Sequence, residues 1–177
     1  MRVGPIGPGW WVRCESLGTD RGAWDASGDA PVVRVGTADE SYSRFYSFLL
    51  TDRQSGAAIV EVRAASIVGG VEPKCFAENG RLFVLTDGWV SEVDTSTKTI
   101  AWEYLADAPI MDAWLLRDGR LLVVSETEVV SLDARGRKVW RETISVSDYR
   151  RESPFLHITG DDGSRLVLDE TTGALAR

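Results

Sequence analysis

The sequence predicts an all-β fold in which antiparallel β-hairpins repeat along the second half of the chain. Three observations carry that expectation. A set of anchor residues recurs at near-constant spacing from residue 79 onward. Strand-length runs of Val, Leu, Ile and Phe alternate with turns rich in Asp, Gly, Ser and Thr. A helix is hard to place anywhere except Ala106 to Trp114.

The repeat is read from its anchors. Asn79-Gly80-Arg81-Leu82 and Asp118-Gly119-Arg120-Leu121 lie 39 residues apart, as do Asp94 and Asp133, and Asp169 follows after 36 more. Trp102 comes eight positions after its Asp, and Trp140 seven after its own. In each unit a tight turn opens an apolar strand, because Gly accepts the positive φ of a hairpin. A second turn follows: Thr86-Asp87-Gly88, Ser125-Glu126-Thr127, or Asp161-Asp162-Gly163-Ser164. β-formers come next, Val90 to Val93 or Val129 to Leu132, then an Asp turn and a short strand ending on Trp. Such units become stable by burying one another's faces, which puts the Trp between neighbours.

These residues resemble the blades of quinoprotein-type propellers, the PQQ-like repeats related in architecture to WD40 repeats. That family's pattern is apolar-Asp-x-x-Thr-Gly-x-x-x-Trp. VDTSTKTIAW supplies Asp94, Thr97 and Trp102 but has Lys98 where the Gly belongs. LDETTGALAR supplies Asp169, Thr172 and Gly173 but ends on Arg177, and LDARGRKVW is one residue shorter with Asp133, Gly136 and Trp140. The resemblance covers roughly residues 79–177 and implies a propeller-like array. At 39 residues per unit the chain has room for about four blades, or half of a larger propeller. No residue set here matches a quinone site, and no cofactor is expected.

Residues 1–75 are a degenerate β segment in this reading, and 76–177 the repeats of one domain spanning 1–177. Trp10 to Glu15, Pro31 to Val35, Arg44 to Thr51 and Ala57 to Ala64 read as strands separated by turns such as Asp52-Arg53-Gln54-Ser55-Gly56. Hydrophobic residues at 44% and charged residues at 27% are those of a folded globular chain. No apolar run approaches the roughly 20 residues that span a bilayer. Pro5 and Pro8 interrupt the start, so no export signal is expected and the chain is placed in the cytoplasm. Cys14 and Cys75 form no metal-type pair and are expected as reduced thiols, a single disulfide being the alternative.

The net charge of −7 is uneven: residues 1–75 carry −1 and residues 76–177 carry −6. An acidic repeat region repels phosphate backbones, which argues against nucleic acid, and it suits a basic protein partner. No reaction centre is legible. His157, alone of its kind, falls inside the apolar run PFLHIT and reads as a packed or edge residue. Asp161-Asp162-Gly163-Ser164 lacks the alternating ligands of a calcium loop and reads as a turn. Gly4-Pro5-Ile6-Gly7-Pro8-Gly9 is no phosphate loop, since its prolines lack N–H donors. Glu126 and Glu128 read as a solvated hairpin tip. Trp89 stands where the other repeats carry Glu128 and Ser164, so it is a candidate exposed anchor.

The function expected from this is non-enzymatic binding of another, basic protein through acidic hairpin tips, in the manner of a toxin-neutralising immunity protein. Asp87, Trp89, Glu126, Glu128, Asp161 and Asp162 are the site residues. Two alternatives stand beside it: a ligand-binding or catalytic cleft with His157 as base, and a homodimer of self-assembling half propellers.

Overall fold

The computed structural model describes residues 2–6, 9–27, 30–36, 43–67, 72–78 and 80–176. Asn79, Arg177, and Gly7 and Pro8 of the N-terminal run lie outside the described residues. The chain forms two compact units, Met1–Glu103 and Tyr104–Arg177. No helix among the described residues is long and apolar enough to cross a membrane.

The first unit opens with β1 (Arg2–Ile6), β2 (Trp10–Gly18) and a short helix α1 (Arg21–Asp25), followed by β3 (Val32–Val35), β4 (Ser43–Asp52) and β5 (Ala58–Ile67). These strands make one sheet in the order β1-β2-β4-β5-β3, with β3 added in parallel to β5. A second sheet, β6-β7-β8-β9, comprises Lys74–Glu78, Arg81–Leu85, Trp89–Asp94 and Thr99–Leu105 in chain order, the division between the units falling inside β9 so that Tyr104 and Leu105 belong to the second. Period-two alternation sends Tyr46, Phe48 and Leu50 of β4 and Val60, Val62 and Ala64 of β5 to one face. There they pack with Val33 and Val35 against Leu82, Val84 and Val93 of the second sheet. The opposite face of the first sheet is covered from within the chain. Trp24 of α1 lies 5.0 Å from the Phe45 ring, centroid to centroid. Arg63 Nη1 donates to the carbonyls of Ala23 and Trp24, both at 2.9 Å, which are the orphan acceptors of a short helix. The guanidinium is held in turn by Glu61 Oε1 at 2.8 Å, which also accepts from Ser47 Oγ.

The second unit holds β10 (Ile110–Leu115), β11 (Leu121–Ser125), β12 (Glu128–Leu132) and β13 (Lys138–Thr143) in one antiparallel sheet. A three-stranded sheet follows from β14 (Val146–Glu152), β15 (Phe155–Gly160) and β16 (Arg165–Asp169). Leu122, Val124 and Val129 pack against Leu156, Ile158 and Leu168 between these two sheets. Trp140 sits at the margin of that core, as the repeat predicts. Its indole N–H donates to Thr171 O at 3.1 Å, and its ring covers Gly173 so closely that a Cβ there would stand 2.6 Å away.

Two expectations are corrected. Ala106 to Trp114 is no helix: Ile110–Leu115 is β10, paired with β11 through a bulge at Met111. A unit also has more strands than the hairpin and its return. A further strand precedes each hairpin at the edge of its sheet, namely β6, β10 and β14, so two of these three sheets are four-stranded and the last is three-stranded.

Candidate functional site

The hairpin tips differ sharply in what they expose. In the first unit, Thr86 N–H closes the β7–β8 turn on Trp89 O at 2.9 Å. Asp87 is only 9% exposed and its Oδ2 accepts from Ser66 Oγ at 2.7 Å. Trp89 beside it is half-buried. In the second unit, Ser125 Oγ accepts the Glu128 N–H at 3.2 Å across the β11–β12 turn, leaving Glu126 exposed at the tip. The β15–β16 turn is fixed by Gly160 N–H on Ser164 O at 2.8 Å and by Gly163 at a φ of 78°. Asp161 and Asp162 are exposed there. Asp162 Oδ1 accepts the Ser164 N–H at 2.8 Å, and its hydrogen bonds to Ser164 lower the carboxyl pKa below the usual range.

These last two tips are tied together. The connector from β13 to β14 donates Ile144 N–H to Thr127 O at 3.1 Å, and Val146, the first residue of β14, donates its N–H to Glu126 O at 2.7 Å. Between them, Ser145 Oγ donates to Asp161. Glu126 N–H also reaches Pro109 O at 3.1 Å. Glu126, Asp161 and Asp162 therefore project from one braced edge of the second unit. Backbone hydrogen bonds fix the turns, so little order would have to be gained when a partner lands on them.

Glu128 does not belong to that exposed set. It is 1% exposed, which corrects the expectation of a solvated tip. Its Oε1 accepts from Tyr104 Oη at 2.7 Å, and its Oε2 lies 2.5 Å from Arg141 Nε as an ion pair. Arg141 Nη2 also holds Asp107 at 2.6 Å. Burial and the Glu128 carboxylate push the Tyr104 hydroxyl well above its ordinary pKa, and the Asp107 and Glu128 carboxylates raise that of Arg141. Asp87 is corrected in the same sense: it is an internal brace of its turn, hydrogen-bonded to Ser66 of β5.

His157 lies on the face of the last sheet opposite the core, its Nε2 3.4 Å from Glu152. A shallow depression of about 380 Å³ there is lined by Arg150, His157, Thr159 and Arg165 among others. Among the described residues no group of three or more His, Cys, Asp or Glu is placed to hold a metal ion.

The Asp turn read from the repeats reaches further than the sequence showed. Asp94, Asp133 and Asp169 each accept backbone N–H groups two to four residues ahead, and a residue at positive φ then returns its N–H to the Asp carbonyl. Asp52 does the same: its Oδ1 takes Gln54 N–H at 3.0 Å and Ser55 N–H at 2.7 Å, and Gly56, at a φ of 70°, closes on Asp52 O at 2.9 Å. The first sheet thus carries the same turn between β4 and β5. Lys98, at a φ of 59°, fills the place that Gly56, Gly136 and Gly173 fill elsewhere. Hydrogen bonds from Ser96 and from Arg137, respectively, hold the Asp94 and Asp133 carboxyls down at about 2. Those of Asp52 and Asp169 are also lowered.

Sheets of hairpins closed by one recurring Asp turn define a propeller-like array of β-hairpin repeats. The model of the family described as outer membrane protein assembly factor BamB matches residues 46–176. The chain belongs to that family. Its first matched residue falls inside β4, ahead of the Asp52 turn. Among solved structures the chain is similar to BamB from Moraxella catarrhalis, with a TM-score of 0.56 at 16% identity over 98% of this chain and 62% of that one. It is also similar to hydrazine synthase of Kuenenia stuttgartiensis (0.52, 18%, 86% of this chain and 50% of that one). A third is the dihydro-heme d1 dehydrogenase NirN in complex with DHE (0.51, 13%, 80% and 36%). The chain spans less than two thirds of each of these proteins, and at such identities the likeness is one of fold. No curated protein matches the chain in sequence.

Proposed function

We propose that this chain is a non-enzymatic protein-binding module that engages a basic partner through the edge carrying Glu126, Asp161 and Asp162. The observation behind it is that three exposed carboxylates stand on two turns braced by the same connector. Clustered charge of one sign steers an oppositely charged partner, and a preformed surface keeps the ordering cost low. Trp89, half-buried at the tip of the first unit, is a candidate contact of that unit by itself. Asp87 and Glu128 serve from inside by holding their turns. Membership of a family described as an assembly factor supports a role in binding other proteins.

In its specific form the proposal is a toxin-neutralising immunity protein acting in the cytoplasm, with the toxin as the basic partner. The test is a tagged pull-down from the native lysate at low and at moderate salt, read by mass spectrometry. The expected result is one stoichiometric basic protein, released as salt rises, whose toxicity the chain suppresses on co-expression. Nothing retained at either salt would overturn the binding role. A salt-sensitive partner that is harmless alone would overturn only the immunity role. The depression beside His157 favours a second reading, a small anionic ligand held by Arg150 and Arg165. His157→Ala abolishing a ligand-induced thermal shift would favour it over the first.

A further inference from the structure

The two sheets of the second unit share one register, yet the same positions carry different chemistry in each. β10 bulges at Met111, after which Asp112 faces Val124 and Trp114 faces Leu122. β14 bulges at Ser147, after which Asp148 faces Thr159 and Arg150 faces His157. Across the hairpins Leu122 pairs with Ser131 and Val124 with Val129, as His157 pairs with Val167 and Thr159 with Arg165. Arg150, His157, Thr159 and Arg165 therefore hold the places of Trp114, Leu122, Val124 and Val129. In the four-stranded sheet those positions pack into the core of the unit. In the last sheet they line the depression of about 380 Å³ on the outer face, and every one of them carries a hydrogen-bond donor. Where a repeat trades four apolar side chains for four donors, packing is not what selects them.

Two of the donors are already held by a carboxylate. Arg150 Nη2 lies 2.7 Å from Glu152 Oε1, and His157 Nε2 lies 3.4 Å from Glu152 Oε2. Arg165 is exposed and has no ion pair among the described residues. Neighbouring strands stand about 5 Å apart, so the backbones bearing Arg150 and Arg165 are about 10 Å apart across the sheet, with His157 and Thr159 between them. We propose that this face is a site for a small dicarboxylate such as succinate, with one carboxylate on Arg150 and His157 and the other on Arg165 and Thr159. The volume of the depression suits a small molecule. The inference rests on the second reading above, to which it adds the class of the ligand and an internal competitor. That competitor is Glu152, which must release Arg150 and His157 as the ligand takes them. Asp148 lies in the same lining and repels anions, but its Oδ1 accepts the Tyr149 N–H at 2.8 Å and holds none of the four donors.

The test is a titration of the full chain at low ionic strength with succinate, butyrate and inorganic phosphate, read by the NMR shifts of the His157 ring and of the β14, β15 and β16 amides. Succinate should bind roughly fivefold more tightly than butyrate, because a second exposed ion pair is worth up to about that factor. Arg165→Gln should erase the preference and leave butyrate binding as it was. Glu152→Gln should tighten both by roughly threefold to fivefold. Asp148→Asn removes an equal charge without freeing a donor and should tighten them by less than about twofold. All three side chains are exposed, so the variants should keep the fold of the parent. No response to any of the three anions would overturn the proposal and the second reading together. Equal binding of succinate and butyrate, or tighter binding of phosphate than of succinate, would overturn the dicarboxylate and leave the anion reading standing. Equal effects of Glu152→Gln and Asp148→Asn would overturn the part given to Glu152.

Discussion

Replacing Glu128 with Ala separates a buried brace from a surface carboxylate two residues away. Tyr104 is 7% exposed, so its hydroxyl would lose its acceptor in a site with little water, at about 1–3 kcal/mol. Arg141 would keep Asp107 and is about one-third exposed, so losing its second carboxylate adds little. The space left by the shortened side chain adds about 1 kcal/mol. The sum is near 3 kcal/mol, or a fall in melting temperature of roughly 6–12 °C at this size. Glu126→Ala, at an exposed tip, should stay within about 0.5 kcal/mol. Urea unfolding monitored by tryptophan fluorescence gives both values from one protocol. Tyr104→Phe should cost about 1–2 kcal/mol, and in a double-mutant cycle its cost should largely vanish once Glu128 is gone. Equal effects of Glu128→Ala and Glu126→Ala, or strict additivity with Tyr104→Phe, would refute this account of the cluster.

Two further perturbations probe the recurring turn. Gly173→Ala should cost about 2–4 kcal/mol, because it combines a positive φ with a Cβ driven into the Trp140 ring. Gly56→Ala meets open space and should cost only the backbone strain, about 1 kcal/mol, so similar values in urea titrations would contradict the packing described for Trp140. Acid should loosen all four turns. The Asp94 and Asp133 carboxyls titrate at about 2 in the folded chain, below the unfolded value near 3.9, so their support is complete above that unfolded value. It is lost as pH falls from about 4 toward 2, and Asp133→Asn should flatten that part of a stability–pH curve.

How much of this was legible in the sequence depended on where the determining partner lay. The Asp turns at Asp94, Asp133 and Asp169 were readable because an Asx turn is written in a few consecutive residues. The same turn at Asp52 was read only as a turn, since no Trp follows it and the spacing to Asp94 is longer. The strands that precede the hairpins were hidden for a different reason. β10 and β14 each carry a bulge, at Met111 and Ser147, that breaks period-two alternation, and Ala106 to Trp114 then imitates a helix. Among the site residues, Glu126, Asp161 and Asp162 stand exposed where turn chemistry put them. Glu128 was misplaced because what buries it is remote: Tyr104 lies 24 residues before it and Arg141 comes from β13. Asp87 likewise depends on Ser66, from the preceding sheet.

The acidic edge yields the prediction that bears most directly on function. Reversing Glu126, Asp161 and Asp162 to Lys turns three negative charges into three positive ones on one rigid surface, without touching the buried Glu128 cluster. Tyr104, Glu128 and Arg141 hold one another independently of these tips, so the variant should keep its fold, with a melting temperature a few degrees lower because Asp161 no longer accepts from Ser145 nor Asp162 from Ser164. Against a basic partner the changed field should slow association by about 10- to 100-fold at low ionic strength. Near 1 M salt, where the Debye length is about 3 Å, most of that difference should disappear. Stopped-flow or surface-based kinetics across a salt series measures both limits. A reversal variant that associates as fast as the parent at low salt would remove this edge from the interface. One that is slowed equally at every salt would show that the residues act by direct contact, and the steering argument would then fail while the interface itself survived.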